Sequence, residues 1–264
     1  RLNLEAEQQG RSFDDIRAAA RRTWNDDLGR IRVEGGTEAQ KKVFYTGLYH
    51  ALIHPNVLSD VNGEYPAMES AEIRTAEGNR YTVFSLWDTY RNLHQLLTLV
   101  YPERQLEMVR SMVGMYREWG WLPKWELYGR ETFTMEGDPS IPVIVDTWMK
   151  GLRDFDMDAA YEAMRKSATT PGARNRMRPD IDPYIEKGYV PLGFYARDLS
   201  GDNSVSHALE YYIADHALSL LADSLGKKDD AALFRARSLG YKNYYSTESG
   251  TFRPITKGGQ FLTP

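Results

Sequence analysis

One alternation constrains this chain more than any other feature. Segments with helical period differ in character by turns, and the connections between them differ in length by turns. The apolar spacing predicts helices at about 12–31, 37–53, 85–100, 102–119, 139–152, 157–168, 204–225 and 229–245. Links within successive pairs are short, which makes antiparallel hairpins. Links between pairs are long, at about 55–83, 120–138 and 169–203, so all the long loops fall at one end of the stack. The helix at 102–119 is two-faced, with Leu106, Val109, Val113 and Tyr116 on one side and Glu103, Glu107, Arg110 and Arg117 elsewhere. The helix at 139–152 is apolar nearly all round, with Ile141, Val143, Ile144, Val145, Trp148, Met149 and Leu152. That at 204–225 is much the same, with Leu209, Tyr212, Ile213, Ala217, Leu220 and Leu221. Helices apolar all round are buried and two-faced ones lie outside. The expected fold is all-α, a single domain over 1–264 forming a partial toroid of helical hairpins with long loops on one rim. A superhelical repeat would need repeats of regular length, which these loops do not have.

Local signals sharpen the elements. Ser12 and Thr37 are N-cap candidates and Pro102 suits a first helical position. Asp60-Val-Asn-Gly63 is a turn signal whose Asn-Gly pair can close a short hairpin. Tyr81-Thr-Val-Phe84 reads as a short strand or an extended lead, and 247–264 as turn-like.

A net charge of −4 argues against nucleic acid or an anionic membrane surface as the main partner. No apolar run is long enough to span a bilayer. The absence of cysteine excludes disulfides and thiol chemistry. The opening Arg1-Leu-Asn-Leu-Glu5 has neither an initiator Met nor the shape of a signal peptide, so it reads as a piece of a longer polypeptide. The 17 Tyr and 6 Trp suit a carbohydrate binder, although helical cores also use them.

Chemistry gathers where the long loops meet the inner helices. Phe84-Ser-Leu-Trp-Asp-Thr-Tyr-Arg91 opens the helix at 85–100, with Ser85 as its expected cap and Asp88 in its first turn. Leu86, Tyr90, Leu93, Leu97 and Val100 make one apolar stripe. Asp88 and Arg91 are three apart and can pair. Trp87 is a candidate sugar platform, with Asp88 and Arg91 as hydroxyl-gripping groups. Trp125, Glu126, Glu131 and Asp138 come from the second long connection, and Asp146, His207, Glu210 and Asp215 from inner helices. Aromatic faces and carboxylates around a cavity are what glycoside hydrolysis requires. Each also has a plainer reading, as an ion-pair partner, a buried hydrogen-bond acceptor or a core aromatic. Five scattered His show no metal spacing, and the chain has neither a phosphate loop nor a serine elbow.

The octet resembles the signature of glycoside hydrolase family 92, the calcium-dependent exo-α-mannosidases. Further blocks follow in order: Val33-Glu-Gly35, Phe44-Tyr-Thr-Gly-Leu-Tyr-His50, Leu122-Pro-Lys-Trp125, Met135-Glu-Gly137, Ile141-Pro-Val-Ile-Val-Asp146, Lys150-Gly151, Leu209-Glu-Tyr211 and Tyr241-Lys-Asn243. The resemblance implies an inverting exo-α-mannosidase acting on N-glycan-type α-mannosides, periplasmic or secreted. It implies an N-terminal β-sandwich followed by an (α/α)6 barrel, and a calcium ion that binds sugar hydroxyls. The chain then corresponds to the first part of the barrel, without the sandwich or the last helices, and the rest of the polypeptide or a second chain completes it. The family's general acid, in a Glu-Gly-Asn block, and its base are expected beyond Pro264, so no catalytic residue or metal ligand is assigned here. Trp87, Asp88 and Arg91, with Trp125, Glu131 and Asp138, are the expected substrate-binding residues. Another inverting glycosidase acting on α-glucosides and a non-enzymatic helical scaffold are the alternatives.

Overall fold

The computed structural model describes residues 1–194 and 203–263. The first helices are α1 (Leu2–Gln8), α2 (Phe13–Leu28) and α3 (Glu38–Ala51). Ser12 caps α2 and Thr37 caps α3, each in a reciprocal capping box with Asp15 and Gln40. The predicted helix at 85–100 is two pieces, α4 (Leu86–Thr89) and α5 (Leu93–Val100). The break falls at Tyr90–Asn92, where Asn92 leaves helical geometry with φ −157° and ψ −23°. Ser85 does not cap it: its hydroxyl oxygen accepts no backbone N–H of the helix start, and the hydroxyl donates to the Asp88 carboxylate. Next come α6 (Pro102–Trp119), α7 (Ser140–Met149) and α8 (Met157–Thr169). A short α9 (Ile181–Lys187) precedes α10 (Ser204–Ser224) and α11 (Lys228–Ser238), and a 3-10 turn at Leu239–Tyr244 continues from α11.

The long connections carry short strands. β1 (Asn56–Val57) pairs with β4 (Tyr81–Thr82), and β2 (Glu64–Pro66) with β3 (Ile73–Thr75), all antiparallel. The Asp60–Gly63 turn forms, closed by Gly63 N donating to Asp60 O at 2.8 Å. Asp60 N also donates to Glu64 O at 2.8 Å, so the backbone closes tightly across Asn62–Gly63, and β2 then pairs onward with β3. β5 (Phe84–Ser85), β6 (Trp125–Leu127) and β7 (Arg130–Glu131) form a three-stranded sheet that joins the first long connection to the second. A last hairpin joins β8 (Tyr245–Ser246), just before the tail expected to be turn-like, to β9 (Thr251–Phe252) within it.

The helices form a partial α/α toroid. α7 packs against α5, α6, α8 and α10, and α10 packs most extensively on α11. The main core runs from Leu97, Met108 and Met112 through Ile141, Ile144 and Val145 to Leu218 and Leu221. α7 is buried at Ile141, Val143, Ile144 and Val145 as its composition predicts, while Met149 at its end is 50% exposed. α10 departs from that expectation: one side is buried, while Ile213 and Leu220 on another flank stay 44% and 43% exposed. At the opposite end of the arc α2 buries no side chain, and Phe13 is 78% exposed. Open flanks at both ends are what an incomplete ring of hairpins leaves.

Candidate functional site

The N-terminal half of α10 organises the rim. Its period of 3.6 residues sends His207, Glu210 and Tyr211 toward the long connections, and Asp215 into the core. Glu210 reaches the octet. Its carboxylate accepts from Trp87 Nε1 at 3.2 Å, from the Tyr90 hydroxyl at 2.7 Å and from Arg91 at 3.0 Å. The Arg91 guanidinium lies 4.9 Å from the centroids of both the Trp87 and Tyr90 rings, a cation–π arrangement. The break at Tyr90–Asn92 is what frees this turn to face α10 while His94 and Leu97 stay buried on α5. Gly137, at φ +74°, makes the approach possible: a Cβ there would lie 2.4 Å from Glu210 Cβ. Burial and the Glu210 carboxylate together raise the Tyr90 pKa, so its hydroxyl stays protonated and donating.

One turn earlier, His207 bridges two acids. Its Nε2 is 2.7 Å from Glu136 and its Nδ1 3.3 Å from Asp180. Burial by itself would lower the imidazole pKa, but hydrogen bonds to Asp180 and Glu136 outweigh it and raise it to about 9. The same partnership, with a 2.7 Å hydrogen bond from Tyr211, holds Asp180 low despite burial. Buried Lys124 donates to Met177 O at 3.0 Å, and burial lowers its pKa against the pull of Asp138 and Glu131.

Deeper still, Arg178 is fully buried between two carboxylates. Its Nε donates to Asp138 at 2.9 Å and its Nη1 to Asp215 at 2.7 Å. Ser167 donates to Asp138 at 2.6 Å and Tyr184 to Asp215 at 2.8 Å. Burial alone disfavours a charged guanidinium, and the Asp215 and Asp138 charges override it.

The expected site residues therefore sit at different depths. Trp87 is half-buried, and Asp88 and Arg91 are exposed on one turn. Asp88 and Arg91 do not pair with each other: Ser85 donates to Asp88, and Arg91 turns to Glu210. Trp125 is half-buried and pairs with Ser85 across β5 and β6. Glu131 is buried, and its oxygens accept backbone amides of Lys124, Trp125 and Phe133 at 2.8, 3.0 and 2.8 Å. Asp138 is buried in the Arg178 network. Asp146 pairs with Lys150 at 2.7 Å. Sequence reasoning did not single out Tyr90, Glu136, Arg178 or Asp180 as polar partners. Tyr90 was read as part of an apolar stripe, and Arg178 and Asp180 lie in a loop without period. Among the described residues no group of three or more Asp, Glu or His side chains is placed to hold a metal ion. They make no calcium cage by themselves, since that ion takes six to eight oxygens.

The whole chain, residues 1–264, matches the model of the glycosyl hydrolase family 92 catalytic domain. It is 26% identical over 259 residues to an uncharacterized secreted glycosidase of Arthroderma benhamiae, covering 95% of this chain and 29% of that protein. It superposes on a family GH92 inverting mannosidase of Bacteroides thetaiotaomicron with TM-score 0.91 and 30% identity, covering 99% of this chain and 35% of that one. A family GH92 α-mannosidase of the same organism gives TM-score 0.88 and 34% identity, covering 99% and 34%. The chain thus spans about a third of the length of the relatives it matches. From the ordered motifs, the hairpin toroid and these matches, the chain belongs to the glycosyl hydrolase family 92 catalytic domain family.

Proposed function

We propose that this chain forms one wall of the sugar site of an inverting exo-α-mannosidase that releases mannose from N-glycan-type α-mannosides. The observation that carries the reading is the Glu210 hub. It gathers Trp87 and Arg91, on the rim turn that also carries Asp88, within a fold matched by two proteins described as GH92 mannosidases. On this reading the Trp87 indole lies against an apolar face of the sugar ring. Asp88 keeps a carboxylate oxygen for a sugar hydroxyl, and Arg91 keeps guanidinium N–H groups beyond the one that binds Glu210. Glu131 and Asp138 serve this wall from beneath, by fixing the loop that carries Trp125 and Gly137.

Inversion calls for a general acid and a general base roughly 6.5–9.5 Å apart with water between them. We assign neither role to a residue of this chain. Calcium, when bound, would supply a template that orients sugar hydroxyls. We assign none of its ligands to a residue of this chain, and no step proposed here passes through it.

The test is hydrolysis of α-mannobiosides by the full-length parent protein, with and without a calcium chelator, following the anomer first formed by NMR. Chelator-sensitive release of β-mannose supports the reading. Release of glucose from α-glucosides instead, or of no sugar, overturns it.

A further inference from the structure

Val83 sits at φ +64°, a left-handed conformation that a β-branched side chain adopts only under constraint. It stands where the chain changes partners: Thr82 pairs with Asn56 across β1 and β4, and Phe84 pairs with Glu126 across β5 and β6. Three residues past Phe84 lies Trp87. A single buried carboxylate meets this bend. Glu126, fully buried, accepts from Val83 N at 3.1 Å, from the Thr82 hydroxyl at 2.9 Å and from Gly129 N at 2.6 Å. The Thr82 hydroxyl in turn accepts from Tyr128 N at 2.8 Å. Tyr128 and Gly129 are also left-handed, at φ +49° and +81°, and they form the bend between β6 and β7. One carboxylate thus holds two unfavourable bends, one leading into the Trp87 turn and one leading to Glu131.

We infer that Glu126 is a positioning residue for the sugar platform, holding Val83 in the left-handed bend that aims Trp87 and Arg91 at Glu210. This deepens the mannosidase reading and rests on it. Glu126 touches no substrate on this view. If Val83 relaxed to extended geometry, β4 and β5 would tend to run on as one strand, and the turn beyond would swing off its partner. Every neighbour of the carboxylate donates to it, so Glu126→Gln would set an amide N–H against another donor while changing the volume little.

The experiment uses the full-length parent and reads kcat and KM on an α-mannoside. Glu126→Gln should raise KM about tenfold with a much smaller change in kcat, as expected when ground-state and transition-state binding are lost together. Adding Val83→Gly to Glu126→Gln should recover most of the loss, because glycine holds a positive φ without help. Should Glu126→Gln fail to fold, Thr82→Val removes one donor and should raise KM about threefold. A wild-type KM in whichever of these variants folds, or a double variant no better than Glu126→Gln, overturns the inference. Should the wild-type parent release no mannose, the functional reading falls separately. The φ at residue 83 in a crystal structure of the Glu126→Gln or Thr82→Val protein then decides: a bend unchanged, with Trp87 still on Glu210, overturns the positioning role.

Discussion

Two arginine–carboxylate clusters lie close together along α10 and differ in almost everything but composition. Arg178 sits between Asp138 and Asp215 with no exposed surface, and Ser167 and Tyr184 take up further carboxylate lone pairs. Arg91 binds Glu210 with its own side chain 47% exposed and that of Glu210 13% exposed. The first cluster is closed to a ligand by burial, although Arg178 Nη2 has no hydrogen-bond partner among the described residues, and it holds the rim connections to the core. The second keeps donors at the surface beside an indole. What makes a charged group available is therefore not its type but how many of its partners are already supplied, and whether water still reaches it.

The largest effect expected from this contrast is on stability. Arg178→Met leaves two carboxylates buried without their cation and should cost about 3–5 kcal/mol. Arg91→Met, on a half-exposed pair, should cost less than about 1 kcal/mol. Urea denaturation of the full-length parent compares them, and equal losses would break the distinction. Function should divide the opposite way. Glu210→Gln in the parent should raise KM for an α-mannoside about tenfold and lower stability by less than Arg178→Met does, since a charged hydrogen bond is worth roughly 1.5–3 kcal/mol. Gly137→Ala should raise KM too and also lower Tm, because its Cβ would displace Glu210 and its φ of +74° disfavours any side chain. A normal KM in both variants would remove Glu210 from the site.

Histidines give a finer test, with opposite signs. His207 has its pKa raised to about 9, so its contribution is complete below the unfolded value of about 6.5 and is lost as pH rises toward 9. His94 is buried between Thr89 and Gln105, and burial lowers its pKa to about 4 against the Gln105 hydrogen bond. Its contribution is complete above about 6.5 and is lost as pH falls toward 4. Thermal melts across pH should flatten on the alkaline side in His207→Gln and on the acid side in His94→Gln. A slope that survives its own substitution contradicts the assignment. The smallest effect concerns the bare flank of α10. The 264-residue chain alone should self-associate, and Ile213→Lys with Leu220→Lys should reduce that while changing stability by no more than about 0.5 kcal/mol each. A monodisperse wild-type monomer in sedimentation would contradict it.

Much of the scaffold is legible without coordinates. Ser12 with Asp15 and Thr37 with Gln40 mark helix starts because a cap and its partner lie within one turn. Pro102 opens α6 as a missing N–H allows. The helix break at Tyr90–Asn92 is not legible, since nothing in Tyr-Arg-Asn opposes a helix as Pro or Gly would. It is Tyr90 and Arg91 reaching Glu210 that accompanies the break. Likewise the spacing of Asp88 and Arg91 suggested a pair, and a carboxylate 119 residues away supplied the partner instead.

The sequence by itself determined where most of the long helices start, which of them pair and at which end the long connections gather, because caps, period and loop length act over a turn or a link. Only the tertiary structure decided which carboxylates are occupied and which arginine faces outward. Those outcomes depend on burial and on partners brought together from distant segments, and spacing along the chain carries no record of either.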